Sequence, residues 1–217
     1  MHVLVVDLLA EREGFGREGV REIVSHFDNP MVSLWSPHCK ERVDYGFGNV
    51  VDGPVDADFI VITGSRKNVS MWEDWMDDVA NLIQTTKTPM VGICFGHQII
   101  AASLGGKVER AEQLSAFVRP VSYQDGTTVS AVFTHQDHVI DAGEMEVIAS
   151  TEHCSIAACR HPTRPIHTVQ YHPEAVENVI NESLKCGDLT PTEAKVFDMN
   201  QELISVRDAL IGPVLSL

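Results

Sequence analysis

Short apolar runs alternate with amphipathic segments through the first half of the chain. Continuous apolar runs predict buried strands, and apolar residues at helical spacing predict amphipathic helices. Up to residue 106 this pattern gives the order β-α-β-β-α-β-α, which is typical of a parallel sheet with helices on both faces. The predicted strands are His2–Asp7, Met31–Trp35, Phe59–Thr63 and Pro89–Ile93, and the predicted helices contain Val20–Phe27, Met71–Thr86 and Gly96–Leu104.

Glycine and proline interrupt this pattern at two places. Gly14–Gly19 is predicted to be a glycine-bearing turn that precedes the first helix. Pro37–Pro54 is polar and contains several glycines, so it is predicted to be a loop. Both stretches are therefore expected to connect elements of the sheet and its helices.

After residue 106 the apolar segments become shorter and are separated by turns. This pattern predicts antiparallel strands that pack onto the first sheet or extend it. We predict one domain over residues 1–185 and a helical extension of it over 186–217, which packs on its own domain or, alternatively, contacts a partner or a second copy. The predicted strands are Phe117–Tyr123, Thr128–Phe133, Glu146–Ser150, Ser155–Cys159 and Ile166–Gln170, and the predicted helices are Ala175–Lys185 and Thr192–Leu210.

Composition and charge narrow the classes of function. The chain has 217 residues and a formal net charge of −15, and so acidic a protein should repel the phosphates of nucleic acids. No apolar run reaches the length of about 18 residues that a membrane span needs, and the N-terminal residues do not resemble a secretory signal. The 5 cysteines are scattered and odd in number, which favours reduced thiols in a cytoplasmic protein.

Cys94 lies between a predicted strand and a predicted helix, with Gly92 and Gly96 two residues to either side. A nucleophile at such a junction sits on a tight turn, and its neighbours must be small because the two backbones pass close together. The turn lifts the thiol to the carboxyl edge of the sheet, near a helix N-terminus that favours the thiolate. It also leaves the N–H of Phe95 free to face an oxyanion. A buried cysteine without chemistry is the alternative.

A base for this thiol is available at the end of a later strand. His172 follows the apolar run that ends at Gln170, and Glu174 lies two residues further on, close enough to accept a hydrogen bond from the imidazole. A cysteine, a histidine and a carboxylate complete a catalytic triad by role. The alternative is a histidine at a strand end and a carboxylate that complements a helix dipole.

The segments G-I-C-F-G-H-Q and Y-H-P-E together resemble those of the class I, triad-type glutamine amidotransferase domain. The resemblance implies a flavodoxin-like α/β fold with a mainly parallel sheet, helices on both faces and short antiparallel strands in the second half. It implies that Cys94 attacks the side-chain amide of glutamine and forms a γ-glutamyl thioester. His172 then passes a proton to the leaving ammonia while Glu174 holds the imidazole. It further implies an oxyanion hole from Gly64 and Phe95.

Three further residues are implied to bind the substrate by the same resemblance. Gln98 matches a family position that contacts bound glutamine, and Ser115 and Phe117 lie where the family contacts the glutamine backbone. The segment from Phe133 to Val139 is similar to one in GMP-synthase-type domains, which implies that ammonia passes to a separate synthetase subunit. A free-standing hydrolase of γ-glutamyl amides or peptides is one alternative, and a catalytically silent binding or regulatory module is another.

Two groups of histidines and cysteines raise the question of a metal. His135 and His138 are interpreted as part of a polar loop that borders the active site, in preference to a metal site. A zinc site from His153, Cys154, Cys159 and His161 is disfavoured, because a strand over Ser155–Cys159 would point alternate residues to opposite faces. No phosphate-binding glycine motif is present either. The sequence therefore predicts neither a metal nor a cofactor.

Overall fold

A ten-stranded sheet runs through the computed structural model, which describes residues 1–195, 197 and 202–216. The strand order is β3-β2-β1-β4-β5-β10-β9-β8-β6-β7. The strands are β1 (His2–Val6), β2 (Met31–Trp35), β3 (Asn49–Val50), β4 (Phe59–Ile62), β5 (Met90–Ile93), β6 (Lys107–Tyr123), β7 (Thr128–Asp141), β8 (Glu146–Thr151), β9 (Cys154–Arg160) and β10 (Ile166–Val169).

The strands from β3 to β10 in this order are parallel, which confirms the predicted α/β class. Both faces of β1 are buried: Val3 and Val5 belong to one apolar cluster, and Leu4 and Val6 belong to the other. Such continuous burial explains why these strands are unbroken apolar runs. The helices are α1 (Glu13–Ser25), α2 (Trp75–Thr85), α3 (Phe95–Ser103), α4 (Glu177–Lys185), α5 (Pro191–Ala194) and α6 (Gly212–Leu215), and a π-helical turn covers Arg207–Ile211.

The antiparallel part of the sheet joins the parallel part where β9 pairs with β10. β6 and β7 form a long hairpin whose pairing is shifted between Arg110 and Ser115, where β6 carries extra residues. Both strands are longer than predicted, and the interpretation of His135 and His138 as part of a polar loop is wrong because β7 continues to Asp141. The polar residues of this segment pair with β6, so a run of polar side chains does not mark the end of the strand here.

The predicted turn at Gly14–Gly19 is also wrong, because these residues lie inside α1. Their glycines permit close packing of the helix. A Cβ atom at Gly16 would lie 2.5 Å from the carbonyl oxygen of Leu9, and one at Gly14 would lie 2.7 Å from that of Glu182 in α4. Close approach of two backbones here outweighs the low helix propensity of glycine.

The C-terminal segment does not form the single helix predicted over Thr192–Leu210. In the part of it that the structure describes, α5 ends at Ala194, Leu203 forms a β-bridge with Ser130, and the π-helical turn begins only at Arg207. Residues 196 and 198–201, over which the prediction also ran, lie outside the described residues. Leu210 and Ile211 are buried in the same apolar cluster as strand residues of the sheet. Within the described ranges, no helix is both long enough and apolar enough to cross a membrane.

Candidate active site

Cys94 occupies the one-residue junction between β5 and α3. Its backbone has φ +50° and ψ −100°, a left-handed conformation that few residues other than glycine adopt without strain. The Cys94 N–H donates a hydrogen bond to the carbonyl of Val169 at the end of β10, and the Cys94 carbonyl accepts the first helical bond from Gln98. The nucleophile candidate is therefore held by the sheet on one side and by the helix on the other.

The two glycines that flank Cys94 have little room for a side chain. A Cβ atom at Gly96 would lie 2.2 Å from the carbonyl oxygen of Ile62 in β4, and one at Gly92 would lie 2.7 Å from the Gly96 carbonyl group. The helix thus begins almost in contact with the neighbouring strands. This close approach explains why small residues surround the cysteine.

His172 lies just after β10, the strand next to β5 in the sheet. Its Nδ1 atom is 2.8 Å from Oε1 of Glu174, and both side chains are buried. Its Nε2 atom is buried and has no hydrogen-bond partner among the described residues. With Nδ1 held by a carboxylate, the free Nε2 is the nitrogen available to exchange a proton.

The charges around His172 favour its protonated form. Burial lowers the pKa of the imidazole, but the carboxylate of Glu174 and the charge of an ionised Cys94 more than compensate, and the pKa is raised to about 10. An imidazolium at this position would be stabilised by the buried carboxylate beside it. The arrangement can therefore support a thiolate–imidazolium pair.

Gly64 lies where the cysteine and the histidine meet. A Cβ atom at this glycine would be 3.0 Å from Cε1 of His172 and 3.7 Å from Cβ of Cys94. Phe95 is the first residue of α3, so its N–H has no acceptor within the helix. Both predicted oxyanion-hole residues thus adjoin Cys94, and their role stays a prediction.

A cavity of about 320 Å³ includes Cys94, His172 and Gln98 in its lining. The amide of Gln98 is buried and donates hydrogen bonds to the Asp137 carbonyl at 2.8 Å and to Oε1 of Gln170 at 3.1 Å. Its side chain is therefore fixed by the protein. Four cationic side chains also line the cavity: Arg12, Arg66, Lys67 and Arg110.

Ser115 and Phe117 lie outside the lining of this cavity. Leu114 and Ala116, the residues that alternate with them along β6, line it instead. The Phe117 ring packs edge-on against His153, with ring centroids 4.4 Å apart. Both residues were predicted to bind substrate. They lie on the side of β6 that faces away from the cavity.

The cavity also contains residues to which the sequence analysis gave no role. Phe15 in α1 lies edge-on to His172, with ring centroids 6.2 Å apart. Leu189, Glu193 and Phe197 of the C-terminal segment complete the wall beside it. No local signal marked these residues, because they reach the site only through the packing of α1 and of the C-terminal segment.

His135 lines the cavity as well and belongs to a cluster with His138 and Cys154. The ligand atoms of these three residues all lie within 4.8 Å of one another, and the described residues contain one such group that could hold a metal ion. The sequence analysis paired Cys154 with His153, Cys159 and His161 instead. Cys154 and Cys159 do lie in different apolar clusters, as the alternation of a strand requires.

The chain is similar to known glutamine-hydrolysing proteins. The family model for glutamine amidotransferase class-I matches residues 42–184. A glutamine-hydrolyzing GMP synthase subunit from Methanocaldococcus jannaschii is 36% identical over 109 residues, which cover 46% of this chain and 58% of that protein. A glutamine-hydrolyzing GMP synthase from Gloeobacter violaceus is 37% identical over 130 residues, 55% of this chain and 23% of that protein. The match thus covers less than two thirds of either relative.

Solved structures share the fold. A glutamine amidotransferase from Thermotoga maritima superposes with a TM-score of 0.71 at 15% identity, covering 98% of this chain and 90% of that one. A glutamine amido transferase from Methylobacillus flagellatus gives a TM-score of 0.64 at 14% identity, covering 100% of this chain and 88% of that one. At these identities the likeness concerns the fold alone.

Proposed function

The chain belongs to the class I glutamine amidotransferases, and we propose that it hydrolyses the side-chain amide of glutamine through Cys94, His172 and Glu174. The observation that carries this proposal is the convergence of three groups at the carboxyl ends of neighbouring strands. A cysteine stands on a strained turn, a buried carboxylate holds Nδ1 of a buried imidazole, and Nε2 of that imidazole has no hydrogen-bond partner in the part of the chain that the structure describes. Together they fill the roles of nucleophile, base and orienting group.

In the proposed first step, the thiol proton of Cys94 has already passed to Nε2 of His172, and the thiolate sulfur attacks the amide carbon. The carbonyl oxygen becomes an oxyanion, which the N–H groups of Phe95 and Gly64 would stabilise. The imidazolium then gives its proton to the leaving nitrogen, and ammonia departs as the C–N bond breaks. A γ-glutamyl thioester remains on the cysteine.

In the second step, His172 takes a proton from water, and the resulting hydroxide adds to the thioester carbon. Breakdown of this intermediate releases glutamate and returns the proton to the sulfur. The carboxylate of Glu174 stabilises the imidazolium in both steps, as the buried carboxylate of a serine-protease triad does. The raised pKa of His172, about 10, fits an imidazole that holds the thiol proton until it is passed to the leaving ammonia.

We propose further that the ammonia is released for a separate synthetase subunit. The support is that several relatives are named as one subunit of GMP synthase, the glutamine-hydrolyzing enzyme. A glutaminase subunit of this kind would depend on its partner for full activity, so a low rate in isolation fits this proposal.

A free-standing hydrolase of larger γ-glutamyl compounds is the second candidate. Arg12, Arg66 and Arg110 line the cavity, and the C-terminal segment extends its wall through Leu189 and Phe197. This lining would suit a substrate that carries further carboxylates beyond those of glutamine. A preference for γ-glutamyl peptides over glutamine would favour this candidate.

The test measures release of ammonia and glutamate from glutamine by the protein, the Cys94→Ala variant and a Cys159→Ser variant. Cys159 is a buried thiol on the far side of β9, so it controls for general loss of a cysteine. A diazo-ketone analogue of glutamine is added to the same samples, and labelling is located by mass spectrometry.

We expect turnover or covalent labelling that is lost with Cys94→Ala and kept with Cys159→Ser. Labelling without turnover would support a nucleophile that awaits a synthetase. The absence of both, in a protein that melts cooperatively, would contradict the proposed triad and favour the silent binding module.

A further inference from the structure

A cluster of imidazole and thiol groups lies beside the candidate active site and has no part in the proposed hydrolysis. His135 and His138 come from β7, and Cys154 begins β9. Their ligand atoms all lie within 4.8 Å of one another. We propose that these three residues form a binding site for a zinc-class transition-metal ion.

The first argument is that His135 is buried without hydrogen bonds. Its side chain is 3% exposed, yet neither ring nitrogen has a hydrogen-bond partner among the described residues. His97 is just as buried and differs in this respect. Its Nδ1 atom is 2.8 Å from Oγ1 of Thr168, and its Nε2 atom is 3.2 Å from the carbonyl oxygen of Ile156. A buried polar group without a hydrogen-bond partner lowers the stability of the fold. A ligand bound to the ring of His135 would remove this cost.

The second argument is the chemistry of the donor set. Zinc binds imidazole nitrogen at about 2.0–2.1 Å and thiolate sulfur at about 2.3 Å, so neighbouring tetrahedral ligand atoms lie about 3.3–3.6 Å apart. The ligand atoms of the cluster now lie within 4.8 Å of one another, so binding would require side-chain rotations that shorten these separations. On binding, Cys154 would release its proton to solvent, and its hydrogen bond to the Ile156 carbonyl at 3.3 Å would be exchanged for the metal bond.

The third argument is that the cluster leaves a fourth position and a route of entry. His138 and the neighbouring His153 are only partly buried. The ring of His153 stacks on that of His135, with centroids 5.6 Å apart, and its Nε2 atom also lacks a hydrogen-bond partner in the described part of the chain. Three protein ligands and one position open to water describe a common form of zinc site.

The site would adjoin the nucleophile. Thr134 precedes His135 on β7, and its carbonyl oxygen lies 3.9 Å from Sγ of Cys94. A metal that fixes His135 would therefore restrain the strand beside the thiol. Zinc could also bind Cys94 and His172 directly, so a test must separate the two locations.

The test is a titration of Co²⁺, a spectroscopic substitute for Zn²⁺, into the Cys94→Ser variant, which lacks the thiol of the candidate triad. We expect one equivalent to bind with the ligand-field absorption of tetrahedral Co²⁺ and a thiolate charge-transfer band, both removed by added Zn²⁺. The band should survive Cys159→Ser and vanish with Cys154→Ser. His138→Gln should weaken binding at least about tenfold, since it removes one of three ligands.

A thiolate band that survives Cys154→Ser, or the absence of any such band in the Cys94→Ser protein, would overturn the proposal. Thermal melting of each variant checks folding. If Cys154→Ser does not fold, His138→Gln decides the matter, because His138 is only partly buried and unchanged affinity there would contradict the site. The readout needs no glutamine turnover, so the result stands whether or not the proposed hydrolysis is found.

Discussion

The carboxyl end of β5 and the hairpin of β6 and β7 both border the cavity, but they are built in different ways. At the end of β5, a Cβ atom on Gly96 would approach the neighbouring strand to 2.2 Å, and the backbone of Cys94 is strained. The hairpin contributes side chains such as Leu114, which is 63% exposed, to the other wall. Backbone contacts fix the first region, whereas the second consists of side chains on a strand with a shifted register.

From this difference we infer that the two regions have different roles in the proposed reaction. The groups that break and form bonds must be positioned to within a fraction of an ångström. Closely packed backbone is rigid enough to hold them there. Exposed side chains on a hairpin can change without disturbing the core, so they suit the choice of substrate. We expect substitutions in the first region to alter kcat or folding and those in the second to alter KM.

The largest effect is expected from Glu174→Gln. The amide keeps the size of the side chain but removes the charge that stabilises the protonated imidazole, so kcat should fall about a hundredfold to ten-thousandfold with little change in KM. Glu177→Gln, at the exposed first turn of α4, is the matched control and should keep full activity. Steady-state kinetics with glutamine measure both, and equal rates in the two variants would argue against a role for Glu174.

The next effect is on folding and concerns Gly96→Ala. Its new methyl group would meet the Ile62 carbonyl, and the free energy of unfolding should fall by about 3 kcal/mol. Gly53→Ala is the control, because a Cβ atom there has nothing within 4 Å. Denaturation in urea compares the two variants. If both variants have the same free energy of unfolding, the close approach of Gly96 to the Ile62 carbonyl does not limit which side chains the fold accepts there.

A smaller effect should appear as the pH is lowered. Burial lowers the pKa of His97 to about 4, from an ordinary value of about 6.5. The stability that this neutral histidine contributes is complete above about pH 6.5, is lost progressively as the pH falls from there to about 4, and changes little below that. His97→Gln removes this titration, so urea denaturation between pH 4 and 7 should show a shallower decline for the variant. A decline of equal slope would mean that His97 is not the residue responsible.

The smallest effect is expected at the hairpin wall. Leu114→Ala should raise KM about twofold to tenfold and leave both kcat and stability nearly unchanged, because the side chain lines the cavity while remaining exposed. Met31→Ala, at an exposed position that is not part of the cavity lining, is the control. A change in kcat at Leu114 would mean that the hairpin also positions the reacting groups.

The sequence predicted the first region far better than the second. Glycines two residues to either side of a cysteine, at the end of an apolar run, are a local signal of a strand–turn–helix junction, and that junction is present. The choice of Ser115 and Phe117 depended on which side of β6 faces the cavity. The shifted pairing between Arg110 and Ser115 sets that side, and a one-residue change in register reverses it. No pattern within β6 itself could have revealed this.

The same limit applies to α1 and to the C-terminal segment. The glycines of α1 are typical of a turn until a second helix is known to pack against them, as α4 does at Gly14. The apolar spacing around Leu203 is close to helical, but a bridge to Ser130 and the burial of Leu210 hold the segment against the sheet instead. Contacts between residues far apart in the chain decided both cases.

The hydrogen bond between Cys94 and Val169 bears on where the sequence can accept insertions. The N–H of Cys94 donates to the carbonyl of Val169, and β5 and β10 pair in register up to that point. The turn that carries the thiol is thus fixed to the strand that leads to His172, and adjacent strands lie about 4.8 Å apart. Insertions in exposed turns such as residues 124–127, between β6 and β7, can therefore accumulate without altering this connection, and a family built on this pair of strands can diversify its rim while its central geometry stays constant.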